Sequence, residues 1–75
     1  MSQREFTISQ TALDSALENN EQEQLAFFYR EALSTIKSDG IVKIEQQFSD
    51  GVSEIVALVD TQDLLELYIG RYIRK

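Results

Sequence analysis

The chain contains no cysteine, no histidine and no proline, and it has only three glycines. Without thiols no disulfide can staple the fold. Without thiolates or imidazoles the usual zinc ligand sets cannot be assembled. The absence of histidine also removes the one side chain that titrates near neutrality without help. Acid–base catalysis would then rest on a carboxylate, lysine or tyrosine with a strongly displaced pKa. Gly40, Gly51 and Gly70 stand too far apart to form a phosphate-cradling loop. These absences lead us to expect a protein that is not an enzyme and that uses no cofactor and no metal.

Long apolar runs are also missing. The longest stretch, Ile55 to Val59, has five residues, against the roughly 18 needed to cross a bilayer. Met1 to Glu5 lacks the apolar core of a secretory signal. The expectation is a soluble, cytoplasmic protein with no membrane span.

Basic residues are scarce. Thirteen acids against seven bases give a net charge of −6, which disfavours general binding to a phosphate backbone. The segment from Glu5 to Tyr29 holds five acids and no base, whereas Arg71, Arg74 and Lys75 crowd the C-terminus. Cations there complement the dipole of a final helix. The acidic segment suits a solvated helix surface. It also leaves open a second reading, a small acidic inhibitor of a basic, nucleic-acid-acting protein.

What is present fits one small domain over residues 1–75. A chain of this length buries only about 60% of the surface that its unfolded form exposes. Such domains commonly add a disulfide, a metal or a second subunit. With thiols and imidazoles absent, a second copy of the same chain is the device expected here.

The pattern along the chain predicts an α+β fold in the order helix, helix, β-hairpin, helix. Phe6–Ile8 can form a short N-terminal strand or an extended lead-in. Ser9 is placed to cap a helix to about Asn19, with Ala12, Leu13, Ala16 and Leu17 on one side. Asn20, with Glu23 three residues on, has the pattern of a capping box for a second helix. There Leu25, Phe28, Tyr29, Ala32, Leu33 and Ile36 recur at helical spacing. Gly40 is expected to end that helix in the left-handed conformation. Ile41–Phe48 and Val52–Val59 read as strands joined through Asp50-Gly51, a tight-hairpin signal. A two-residue loop would set Phe48 opposite Ser53, Ile44 opposite Ala57 and Val42 opposite Val59. The core face would then carry Val42, Ile44, Phe48, Ile55, Ala57 and Val59. Asp60 or Thr61 caps a final helix to about Arg74, with Leu65, Tyr68, Ile69 and Tyr72 as its stripe. Gly70 inside that helix is unfavourable and suggests close packing against another element.

Few constellations suggest chemistry. Glu45 and Glu54 would share the wet face of the hairpin as ordinary solvated carboxylates. Ser38-Asp39-Gly40 and Ser49-Asp50-Gly51 read as turns and do not follow the calcium-loop pattern. Tyr29, Tyr68 and Tyr72 fall on core stripes, so packing outweighs base stacking. The informative residues are apolar side chains on faces that should be wet: Phe27, Ile41, Val56, Leu58 and Leu67. They are the candidate partner-binding residues of a homodimeric interaction or regulatory protein.

Overall fold

A computed structural model describes residues 4–74 of the chain. The first element is a strand. β1 (Glu5–Ser9) is followed by α1 (Gln10–Glu18), α2 (Gln22–Lys37), β2 (Ile41–Gln47), β3 (Ser53–Val59) and α3 (Gln62–Tyr68), and a 3-10 turn spans Gly70–Tyr72. Of the two readings of Phe6–Ile8 the strand holds, one residue longer at each end, and the helix-first order is corrected to β-α-α-β-β-α. The sheet order is β1-β2-β3, with β1 parallel to β2 and β2 antiparallel to β3. A parallel pair cannot be joined by a tight turn and needs a long crossover. Here α1 and α2 together make it. A two-stranded hairpin alone is marginal, and β1 supplies the third strand, matching Phe6 to Val42 and Ile8 to Ile44.

The helix starts are written in the local sequence. Ser9 accepts the Ala12 N–H at 3.4 Å and Thr61 accepts the Leu64 N–H at 3.2 Å, so each hydroxyl satisfies one of the free donors of a first turn. The helix ends use a motif that the glycine count hides. Asn20 and Asp39 have φ of 52° and 60°. Behind them Glu21 N–H reaches Ala16 C=O and Gly40 N–H reaches Thr35 C=O, at 2.9 and 2.8 Å. Both α1 and α2 thus end in six-to-one bonded caps with an amide or carboxylate residue in the left-handed position. Two expectations are corrected. Asn20 closes α1; it does not open α2, whose N-cap residue is Glu21 with no side-chain cap. Gly40 is not the left-handed residue. A Cβ there would strike the Arg4 carbonyl oxygen, Thr35 Cγ2 at 2.7 Å and Thr35 C=O at 2.8 Å, so Gly40 is required for close approach of β1 to the end of α2.

The core joins one face of the sheet to the helices. Ile8, Leu13, Ala16, Leu25, Phe28, Ala32, Val42, Ile44, Val59, Leu65 and Ile69 are all buried. Each large aliphatic among them contributes about 1.5–3 kcal/mol by leaving water. Among the described residues Thr35 is the buried polar one, and its hydroxyl donates to the Glu31 carbonyl at 2.9 Å. The molecule is 16 Å across its thin dimension, enough for one helical layer on one sheet and no third layer. Among the described residues no helix is long and apolar enough to cross a membrane.

The C-terminal helix is shorter than its periodicity implies. It stops at Tyr68, and Gly70 lies beyond it. Gln22 of α2 takes hold of the tail, its Nε2 donating to Tyr72 C=O at 3.1 Å and its Oε1 accepting from Arg74 N–H at 2.8 Å. Those backbone groups are thereby withdrawn from any further helical turn. Gly70 lets the tail approach: a Cβ there would meet the Glu66 carboxylate and come within 3.0 Å of the Tyr29 ring.

Candidate functional site

The surface that stands out is the β2–β3 hairpin. Phe48, Val52, Ile55, Val56 and Leu58 are 47, 52, 46, 48 and 54% exposed. Two of them, Phe48 and Ile55, were expected in the core, and the reasons for the reversal differ.

Ile55 is turned over by the loop. Phe48 N–H donates to Val52 C=O at 2.9 Å and Gly51 N–H to Phe48 C=O at 3.0 Å, with Gly51 at φ 85°. The connection is therefore the three-residue Ser49-Asp50-Gly51, a turn closed by a left-handed glycine. Asp50 Oδ1 accepts from Val52 N–H at 3.1 Å and braces it. The distal register becomes Gln47–Ser53, Gln46–Glu54 and Glu45–Ile55, one residue off the two-residue-loop register. A one-residue slip exchanges the faces of a strand. Ile55 moves to the outer face with Glu45. Glu54 moves to the inner face with Gln46, so the two glutamates stand on opposite sides of the sheet. Between Ile44–Ala57 and Glu45–Ile55 the register shifts back, leaving Val56 as the extra residue of a bulge. Past it, Ile44–Ala57 and Val42–Val59 pair as the sequence suggests. Val42, Ile44 and Val59 are buried and Ala57 is half-buried.

Phe48 keeps its face but loses its cover. By alternation it shares the inner side with Val42 and Ile44. However, β1 ends at Ser9, opposite Glu45. From Gln46 outward the sheet is two strands wide and reaches past its neighbour. Phe48 and Val52 thus lie exposed on the inner face of an overhanging arm, with Ile55 exposed on the outer one.

The five residues singled out from the sequence fall on two surfaces. Val56 and Leu58 are exposed on β3, and Ile41 lies half-buried on the outer face beside Lys43, the partner of Leu58. Phe27 and Leu67, 43 and 58% exposed, belong to the helical layer. The Phe27 ring rests against Phe28 at 6.1 Å. The hairpin arm escaped sequence reasoning. The signal that could have found it is the span from Phe6 to Ser9, too short to flank a strand that runs from Ile41 to Phe48.

The rest of the outer face is polar. Lys43 pairs with Glu5 across β2 and β1 at 2.9 Å. At the tail, Arg71 lies 4.9 Å from the centre of the Tyr72 ring and Tyr72 is 41% exposed. Tyr29 and Tyr68 are half-buried. Among the described residues no group of acids is arranged to hold a metal ion.

Two open hollows, of about 370 and 320 Å³, lie over residues 21–24 and beside Arg30, Leu33 and Lys37. A more enclosed cleft, of about 160 Å³, lies between α2, Glu66 and the tail, lined by Ala26, Tyr29, Arg30, Glu66, Gly70 and Ile73, below the roughly 300 Å³ at which ordinary ligand pockets begin. Its two functional groups engage each other, the Tyr29 hydroxyl donating to Glu66 Oε1. That hydrogen bond raises the Tyr29 pKa, and burial and the Glu66 charge push it the same way. The pair works as a brace between α2 and α3. Because the folded-state pKa lies above the ordinary value near 10, its contribution is complete below that pH and is lost as pH rises through the folded value. Tyr29→Phe should cost about 1 kcal/mol at pH 7, and the gap to wild type should close in strongly alkaline buffer. Urea denaturation of both proteins at pH 7 and above 10 would measure it, and a gap that widened with pH would contradict the brace.

Fold and surface together define a two-layer α+β domain with an uncovered apolar hairpin. No family model matches the chain, and no curated protein or solved structure shows significant similarity to it.

Proposed function

We propose that this chain is a non-enzymatic interaction module that acts through protein–protein contact, and that it associates with a second copy of itself. One observation carries the reading: five large apolar side chains, each about half exposed, on a single hairpin. Isolated exposed apolar residues are ordinary. Five gathered on one hairpin, over both of its faces, are a concentration of exposed apolar surface of the kind that is often functional. The chain has no cysteine or histidine, and the Tyr29–Glu66 pair is occupied as a brace, which supports a role without turnover. The acids are spread over all three strands, all three helices and the connecting loops. That distribution weighs against an inhibitor with one acidic face.

Sedimentation equilibrium from micromolar to millimolar concentration should give a mass approaching twice 8.6 kDa. Ile55→Lys combined with Leu58→Lys should yield a folded monomer, because two cations on an exposed strand cost little in the single chain and oppose any apolar contact. A wild-type protein that stays monomeric at about 1 mM, equivalent to binding weaker than about −4 kcal/mol, would dispose of the proposal.

A further inference from the structure

We infer that the hollow at the C-terminal end of α2 docks an acidic segment of another protein, held extended with one apolar side chain between two carboxylates. The site goes beyond the self-association proposed above and lies apart from the hairpin arm. α2 ends where β2 begins, and the arm stands at the far end of β2. The hollow, of about 320 Å³, is lined by Arg30, Leu33, Ser34, Lys37 and Ser38. Such spacing puts them on one face of the helix, which presents a cation, an apolar residue and a second cation in order. Leu33 is half-buried against the core and forms the floor, with the other four exposed around it. The residue before β1 adds a third cation, Arg4, whose Nη1 lies 3.5 Å from Ser38 Oγ.

Charge selects the occupant. Thirteen acids outnumber seven bases in the chain, yet among the described residues no acid lines this hollow. Lys43 has its partner in Glu5, whereas Arg4, Arg30 and Lys37 form no ion pair among the described residues. The helix dipole accounts for Lys37 alone, which stands in the last turn of α2. Arg30 lies about two turns further back, and Arg4 belongs to another segment. The result is a local positive surface on an acidic molecule, and such a surface draws in negative charge.

The spacing favours a peptide over a single anion. Arg30 and Lys37 stand about 10 Å apart along the helix axis, at ~1.5 Å per residue, which is more than one phosphate group spans. In an extended chain the side chains of one face recur about every 7 Å. Two acids four positions apart can then meet both long cations, and the residue midway between them lies over Leu33. The Ser34 and Ser38 hydroxyls are at hand for the bound backbone. A nucleic acid fits worse, because its unbroken line of phosphates would run on from three cations over a chain of net charge −6.

The test adds a short synthetic peptide, Ser-Asp-Ser-Leu-Ser-Asp-Ser, to the full isotope-labelled chain and follows its amide resonances. Those of Ser34, Lys37 and Ser38 should move and those of β3 should not. Exposed ion pairs are individually weak, so saturation should need high micromolar to millimolar peptide, and added salt should oppose it. A peptide with lysine in place of both aspartates should not bind, and one with serine in place of leucine should bind about tenfold more weakly. Arg30→Glu combined with Lys37→Gln should weaken binding of the first peptide by about tenfold or more, while Arg71→Gln leaves it unchanged. No movement at Ser34, Lys37 and Ser38 would overturn the site. So would equal binding of the lysine peptide, of inorganic phosphate or of a single-stranded oligonucleotide, or an equal loss in Arg71→Gln. Should the double variant misfold, the peptide series on the wild-type chain decides. Ile55→Lys with Leu58→Lys should bind the peptide as wild type does, so a failure of self-association and a failure of this site are read separately.

Discussion

Phe28→Ala should unfold this domain or bring it to the brink of unfolding, whereas Phe48→Ala should leave its stability nearly unchanged. Both phenylalanines stand at positions that periodicity marks as core. Phe28 is 7% exposed and packs within the central cluster; Phe48 is 47% exposed on the overhanging arm. Truncating a buried phenylalanine removes its transfer free energy and leaves a cavity, at a cost of about 3–5 kcal/mol. A chain of this size has a total stability of roughly 4–11 kcal/mol, so that loss is most or all of it. Truncating Phe48 opens no cavity and should cost under about 1 kcal/mol. Urea melts at a concentration below dimer dissociation would separate the two effects. Comparable losses in both variants would mean that the arm is covered in the monomer.

Gly40→Ala is the second large effect, expected to cost about 2–3 kcal/mol. One methyl group is added, but it points at backbone. The Arg4 carbonyl oxygen and the Thr35 carbonyl oxygen, the latter at 2.8 Å, would both have to move. Neither is the end of a flexible side chain that could swing aside. Ile41 N–H donates to that same Arg4 oxygen at 2.9 Å, so displacing it disturbs the first bond between β1 and β2. Overpacking against rigid neighbours costs on this order. The same substitution at a glycine chosen for left-handed φ would act through backbone strain, with no dependence on β1. A variant shortened to begin at Phe6 separates the two causes, since removing Arg4 removes the main obstacle. In that background Gly40→Ala should be markedly milder. An unchanged penalty would show that backbone conformation, and not the approach of β1, makes glycine necessary.

The helices were legible because their signals are local. Ser9 and Thr61 act as caps through bonds spanning three residues. The stripe from Leu25 to Ile36 is apolar at the helical period and lies against the core throughout, three of its members buried and three half-buried. Gly70 was correctly suspected of close packing, although the helix ends before it. The inner hairpin register, Val42–Val59 and Ile44–Ala57, was anticipated for a reason that does not hold. A three-residue loop displaces the register by one, and the Val56 bulge restores it. Two local features cancel, and each is invisible to a count of residues between strands.

The exposure of the candidate residues was legible in part: Phe27 and Leu67 are exposed as expected and Ile41 is half-buried. Val56 and Leu58 are exposed on β3, but Ile55 was assigned to the core and belongs with them on the surface. Alternation reports which side of a strand a residue occupies relative to its neighbours along the chain. It carries no information on whether anything lies over that side.

From composition and short-range pattern alone follow the α+β class, the place of the hairpin turn, the caps of α1 and α3 and most of the buried set, since these depend on bonds and periodicities within a few residues. The parallel seating of β1 on β2, the need for a bare Cα at Gly40, the early stop of α3 and the bare hairpin arm are set by segments distant in the chain. Where one strand ends beside another is a relation between elements, and neither strand's own residues encode it.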